Sequence, residues 1–151
     1  MTVVKLTRTR SALSRKMAVP GGRTVEEALA LAEKGLNSHR EAGMSEISGL
    51  LTQLETASAE QPAGRQADIY QLAAQILDLA GFFETGPFYK ATFSLCDIAD
   101  RMQADGAWDW PSIGVHVGAM RLILSEDCQT NAMSETILSG LEAVRLRFAA
   151  Q

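Results

Sequence analysis

Residues 66–102, QADIYQLAAQILDLAGFFETGPFYKATFSLCDIADRM, read as two apolar helices folded back on each other at one turn. In the first arm Ile69, Leu72, Ala73, Ile76, Leu77, Ala80 and Phe83 recur at gaps of three and four, the spacing of one helix face. The turn is Glu84-Thr85-Gly86-Pro87. Glycine tolerates the positive φ that ends a helix and proline fits the first turn of the next, so the two arms should lie antiparallel. The return arm sets Phe88, Ala91, Leu95, Ile98 and Met102 in a second stripe, with Phe93 and Cys96 beside it. Together the arms carry enough apolar surface to seed a helical bundle.

The flanking segments extend the same pattern into an all-α fold. Thr24-Val25-Glu26-Glu27 has the form of a capping box. Beyond it Leu29, Ala32, Leu36, His39, Gly43, Ile47, Leu50, Leu54 and Ala57 repeat at gaps of three and four. The pattern crosses Gly43 without changing phase, so residues 24–58 are expected as one long helix. The alternative is a hairpin at Gly43, where Glu41-Ala42-Gly43-Met44-Ser45 offers a stop and a new Ser cap. Residues 59–65, small and polar around Pro62 and Gly64, read as a linker. After Asp105-Gly106, Trp108-Asp109-Trp110-Pro111 starts a helix with Pro111 at its first position and Trp110 held outside it, running to about Ser125. A last helix from about Gln129 places Met133, Ile137, Leu141, Val144 and Phe148 on one face. The expected organisation is a basic arm over 1–23, a long helix over 24–58, a linker over 59–65 and an up-down four-helix bundle over 66–151.

With 151 residues, 46% of them hydrophobic and 21% charged, the chain can bury one core without staples. Cys96 and Cys128 suit reduced thiols in a cytoplasmic protein better than a disulfide framework. No run approaches the roughly 18 apolar residues of a membrane span, and the N-terminus lacks the apolar core of a secretory signal, so no membrane contact is expected. Charge is uneven. The first 23 residues hold six cations and no acid, leaving eight cations against eighteen acids in the remainder, a net −10. A basic segment poor in large apolar groups does not repay its ordering entropy, so residues 1–18 are expected to be mobile. They read either as a solvated tail or as an arm that docks on an acidic surface, on a partner or on the chain itself. The acidic remainder would repel phosphate, and nucleic acid is not an expected partner.

Candidates for chemistry reduce to two histidines. At about 100° per residue His116 lies opposite the small and polar face made by positions 114, 118, 121 and 125. His39 lies on the seam of the long helix, four residues before Gly43. Each reads as a packed, hydrogen-bonded histidine or as a phosphoacceptor. No cysteine or carboxylate motif accompanies either, and no phosphate-cradling glycine loop or local Ser/His/Asp signature is present, so no metal, cofactor or catalytic residue is expected. Trp108 and Trp110 either pack over one end of the bundle or, if exposed, anchor a partner. A helix of 35 residues outruns a compact bundle, so the seam formed by Leu36, His39, Ile47, Leu50 and Leu54 is expected to pair with a second copy in a homodimer, with Gly43 allowing close approach.

Tyr70-Gln71-Leu72-Ala73-Ala74, then Asp78-Leu79-Ala80-Gly81-Phe82-Phe83 and a Gly-Pro turn, resemble the histidine-phosphotransfer (Hpt) domains of bacterial two-component signalling. Those domains carry His-x-Leu-Lys-Gly there; here Tyr70 stands at the histidine and Ala73 and Ala74 at the Lys and Gly. Over nearly the whole chain, the order of basic arm, Pro-Gly-Gly, long Ala/Leu/Glu helix, Tyr-x-Leu-Ala hairpin, Ser-Leu-Cys-Asp and Trp-Asp-Trp-Pro is similar to the small alphaproteobacterial chemotaxis proteins of the CheE family. The resemblance implies an Hpt-like bundle and a non-enzymatic adaptor that binds a histidine kinase or response regulator through the face of Tyr70, Gln71 and Gln75. The alternative it leaves open is active phosphotransfer through the neutral imidazole of His116 or His39.

Overall fold

The computed structural model describes residues 11–17 and 19–149. Among them are six helices and no strand: α1 Ala12–Met17, α2 Val25–Glu60, α3 Gln66–Phe82, α4 Pro87–Asp105, α5 Trp110–Ser125 and α6 Ala132–Ala149. Most of the expected mobile stretch, residues 1–10 and 18, lies outside the described residues. Within it, Ser14 N–H donates to Ser11 Oγ at 3.1 Å and opens the short α1, which the sequence reading had not anticipated.

Reciprocal side-chain caps start the long helix. Glu27 N–H donates to Thr24 Oγ1 at 3.1 Å, and Thr24 N–H donates to Glu27 Oε2 at 2.9 Å. α2 then runs unbroken through Gly35, Gly43 and Gly49 to Glu60. The chain divides into two units, residues 1–38 and 39–151. In the first, every side chain from Val19 to Ser38 is exposed.

The second unit is a helical bundle with α4 at its centre, packed against α3, α5 and α6. Phe88, Ala91, Leu95, Ile98 and Met102 of α4 are buried, as are Ile69, Ala73, Ile76 and Ala80 of α3. Residues 39–60 of α2 complete it. Thr52, Thr56 and Ala57 share a groove with Asp68 and Leu72 of α3. Arg121 of α5 forks onto Glu55, Nε to Oε1 at 2.7 Å and Nη2 to Oε2 at 2.6 Å, and Nη2 also donates to Thr52 Oγ1 at 2.9 Å.

This arrangement corrects the expected boundaries and the expected seam. The bundle draws on α2 as well as on residues 66–151, with α6 laid along α4 and α5, and residues 59–65 connect two helices of one core. Ile47 and Leu54 are fully buried and Leu50 nearly so, inside their own chain. They therefore cannot also pair with a second copy. Leu36, by contrast, is exposed. Gly43 is likewise used internally: a Cβ there would lie 2.0 Å from the ring of Phe83, and Arg40 Nη1 donates to the Phe83 carbonyl at 2.7 Å.

Local chemistry sets the turns. Thr85 Oγ1 donates to the Ala80 carbonyl at 3.1 Å behind α3, and Gly86, at φ +54°, leads into Pro87 at the start of α4. α5 begins at Trp110 and not at Pro111, because Asp109 supplies the cap, its Oδ2 accepting from Ser112 N–H at 3.3 Å and from the Ser112 hydroxyl. α6 begins at Ala132, later than expected, where Asn131 and Ser134 cap each other at 2.9 Å in both directions. Among the described residues no helix is long and apolar enough to cross a membrane.

Candidate functional site

While the buried stripe of α4 faces the core, Tyr89 and Phe93 sit one residue round the helix from Phe88 and Thr92, on its flank. They are 39% and 51% exposed. The chain has only nine aromatic residues. Three of them, Phe82, Tyr89 and Phe93, are exposed along the α3–α4 hairpin, where burial would otherwise be worth most. The Tyr89 ring lies over Gly81, where a Cβ would come within 3.3 Å. Tyr89 and Phe93 form one edge of a groove of about 300 Å³ between α4 and α6. Leu138 and Leu141 of α6 form its apolar wall, Lys90 and Arg145 its basic side, and Ser94 its floor.

Arg145 is held in place. Its Nε and Nη2 donate to Glu142 Oε2 and Oε1, both at 2.7 Å, and Nη1 donates to Asp97 Oδ2 at 3.1 Å. Arg101 Nε meets the same Asp97 oxygen at 3.2 Å. Burial pushes the Asp97 carboxyl up, but hydrogen bonds from Arg101 and Arg145 outweigh it and leave the group below its ordinary range. The wall of the groove is thus pinned by charge-assisted bonds.

Beneath the floor lies His116, with no exposed surface. Its Nδ1 is 2.9 Å from the Ser112 carbonyl and its Nε2 is 2.9 Å from Ser94 Oγ. A carbonyl only accepts, so Nδ1 carries the proton; in the neutral ring Nε2 then accepts from the Ser94 hydroxyl. Burial lowers the imidazole pKa, opposed by the bond to Ser112, so the neutral form is favoured. Both ring nitrogens are occupied inside the protein. A hydroxyl backed by an imidazole is the start of a nucleophilic relay, but here the orienting group is an uncharged backbone carbonyl.

The other residues singled out from sequence are dispersed. His39 is exposed on α2. Tyr70 is half-buried against the core, and Gln71 and Gln75 are exposed on α3. Trp108 and Trp110 are half-buried, packed edge to face at 5.5 Å against the core, and Trp108 Nε1 is buried without a hydrogen-bond partner. Both cysteines are free and buried. Burial, reinforced by Asp78, pushes the Cys96 thiol up to about 11, and burial also raises Cys128 against the pull of Arg40. Among the described residues no three His, Cys, Asp or Glu side chains converge as around a metal ion.

Sequence reasoning missed the groove and the Ser94–His116 pair. The i, i+4 spacing of Tyr89 and Phe93, off the main stripe, was the available signal for the first. Nothing local pairs residues 22 positions apart on two helices. In comparisons with known proteins, the chain matches no protein family, no curated protein and no solved structure.

Proposed function

We propose that the chain is a non-enzymatic helical adaptor of bacterial chemotaxis or two-component signalling, acting in the cytoplasm as a homodimer and binding a histidine kinase or response-regulator domain. The observation that carries this reading is the exposed Tyr89–Phe93 edge beside an apolar groove walled by a fixed arginine. Aromatic anchors next to a groove are the usual centre of a protein interface, and a helix laid between α4 and α6 would bury both rings. The burial of His116 supports the same reading, since an enclosed imidazole with both nitrogens bonded does not reach a partner's aspartyl phosphate. Ser94 supports it too: it lies in mid-helix, where the α4 backbone N–H groups are spent on the helix and cannot cradle an oxyanion.

The second reading, phosphotransfer, now falls on His39, whose exposed ring favours it. Titration calorimetry with purified kinase and receiver domains from the same bacterium separates the two. The adaptor reading expects one of them to bind the wild type, and Phe93→Asp to weaken binding at least about tenfold, or 1.4 kcal/mol. Labelled phosphate from the kinase should not remain on the chain. Label retained by the wild type and lost from His39→Ala would establish phosphotransfer instead.

A further inference from the structure

The first half of α2 carries an apolar seam that nothing in its own unit covers. Leu29 is 59% and Leu36 69% exposed, and Ala32 and His39 complete the line at gaps of three and four. Past His39 the line enters the bundle, where Phe83 fills the space beside Gly43. The exposed part is therefore short and bounded.

We infer that a second copy of this chain covers the seam, in antiparallel orientation about a two-fold axis near residue 34. This deepens the homodimer of the proposed function and is independent of the docking groove. Run against itself in reverse, the seam is self-complementary: Leu29 faces His39, and Ala32 faces Leu36, so large side chains meet smaller or polar ones in every layer. One edge is small throughout, with Ala28, Gly35 and Ala42 at seven-residue intervals, which lets two backbones approach. The other edge carries Glu26, Glu33 and Arg40. Antiparallel pairing sets Glu26 near Arg40 of the other copy, twice per dimer, and Arg40 is already steadied on the Phe83 carbonyl at 2.7 Å. Glu33 meets its own copy at the axis, the one like-charge contact. A parallel pair would face these charges with Ala and Gly and gain no ion pair.

Charge over longer range favours the same orientation. Antiparallel helices carry the first 23 residues of each chain, with six cations and no acid, toward the bundle of the other. That bundle, residues 39–151, holds seven cations and fifteen acids.

Light scattering on a size-exclusion column, with the full chain at about 100 µM, should give a dimer; a complex with a Kd of about 10 µM is mostly associated there. Leu29→Glu with Leu36→Glu should give a monomer whose unfolding temperature matches that of the wild type diluted until it is monomeric, since both positions lie outside the core. Disulfide trapping reads the orientation. Glu33→Cys should cross-link to itself, and Leu29→Cys should cross-link to His39→Cys in mixed samples. Leu29→Cys alone should not, because antiparallel copies hold the two sites about 15 Å apart along the axis. A monomeric wild type, or self-cross-linking at Leu29→Cys, would overturn the inference. A monomer that still bound its signalling partner would leave the docking groove standing.

Discussion

Ser94 Oγ lies 2.9 Å from Nε2 of His116, joining α4 to α5 through two buried polar groups that satisfy each other. Burial holds the imidazole below its ordinary pKa of 6.5. The unfolded chain therefore takes up this proton first. The stability that comes from keeping the ring neutral is complete above pH 6.5 and is lost as pH falls from there toward the folded value, at up to about 1.4 kcal/mol per pH unit. Urea unfolding of wild type and His116→Gln at pH 7.5 and 5.5 should show the loss in the wild type and a flatter profile in the variant. Parallel profiles would mean that the ring is not sealed.

Ser94→Ala should cost about 1–3 kcal/mol, because it strands a buried acceptor on His116. Chemical denaturation gives the value directly. A cost below about 0.5 kcal/mol would argue that the hydroxyl is not the donor.

Gly43 and Phe83 should show a change of sign. Adding a methyl at Gly43 forces the Phe83 ring aside, since the Cβ would sit 2.0 Å from it, so Gly43→Ala should destabilise the wild type. With Phe83→Ala in place the same change should stabilise by about 0.5–1 kcal/mol, the helix preference of alanine over glycine. A double-mutant cycle on unfolding free energies measures both. Equal effects in the two backgrounds would show that the ring does not occupy that space.

Leu54 and Leu36 lie on one stripe of one helix but should behave differently. Leu54→Ala removes a fully buried side chain and should cost about 2–5 kcal/mol, whereas Leu36→Ala, at an exposed site, should stay within about 0.5 kcal/mol. Calorimetric unfolding of the two variants, at a concentration low enough for monomers, checks the contrast.

Across the bundle, Arg121→Met should cost on the order of 1 kcal/mol, limited by solvent screening of a pair about one-third exposed. The Arg121 hydrogen bond holds the Glu55 carboxyl below its ordinary 4.5 despite some burial. The contribution is therefore present above pH 4.5 and lost as pH falls through the folded value, so variant and wild type should converge in acid. A difference that persisted at pH 2.5 would mean packing, not charge, carries the cost.

Periodicity made much of this fold readable. The Gly-Pro turn and two apolar stripes define the α3–α4 hairpin, and Thr24 with Glu27 marks the start of α2. What periodicity does not report is what covers a stripe. Leu36 and Leu54 obey one spacing, yet only the second is buried, because the partners that decide it lie far along the chain, as Arg121 lies 66 residues from Glu55. The same limit hid the groove. Phe93 stands beside the α4 stripe in the sequence, and only the placement of α6 turns that flank into a walled surface with Ser94 and His116 beneath it.

Site-specific photocross-linking in the native cell tests partner docking most directly. A benzophenone side chain in place of Phe93 should yield an adduct with a kinase or response-regulator domain, and the same group at Leu122, exposed on α5, should not. Adducts at position 122 and none at 93, or adducts at 93 with no signalling protein among them, would contradict it.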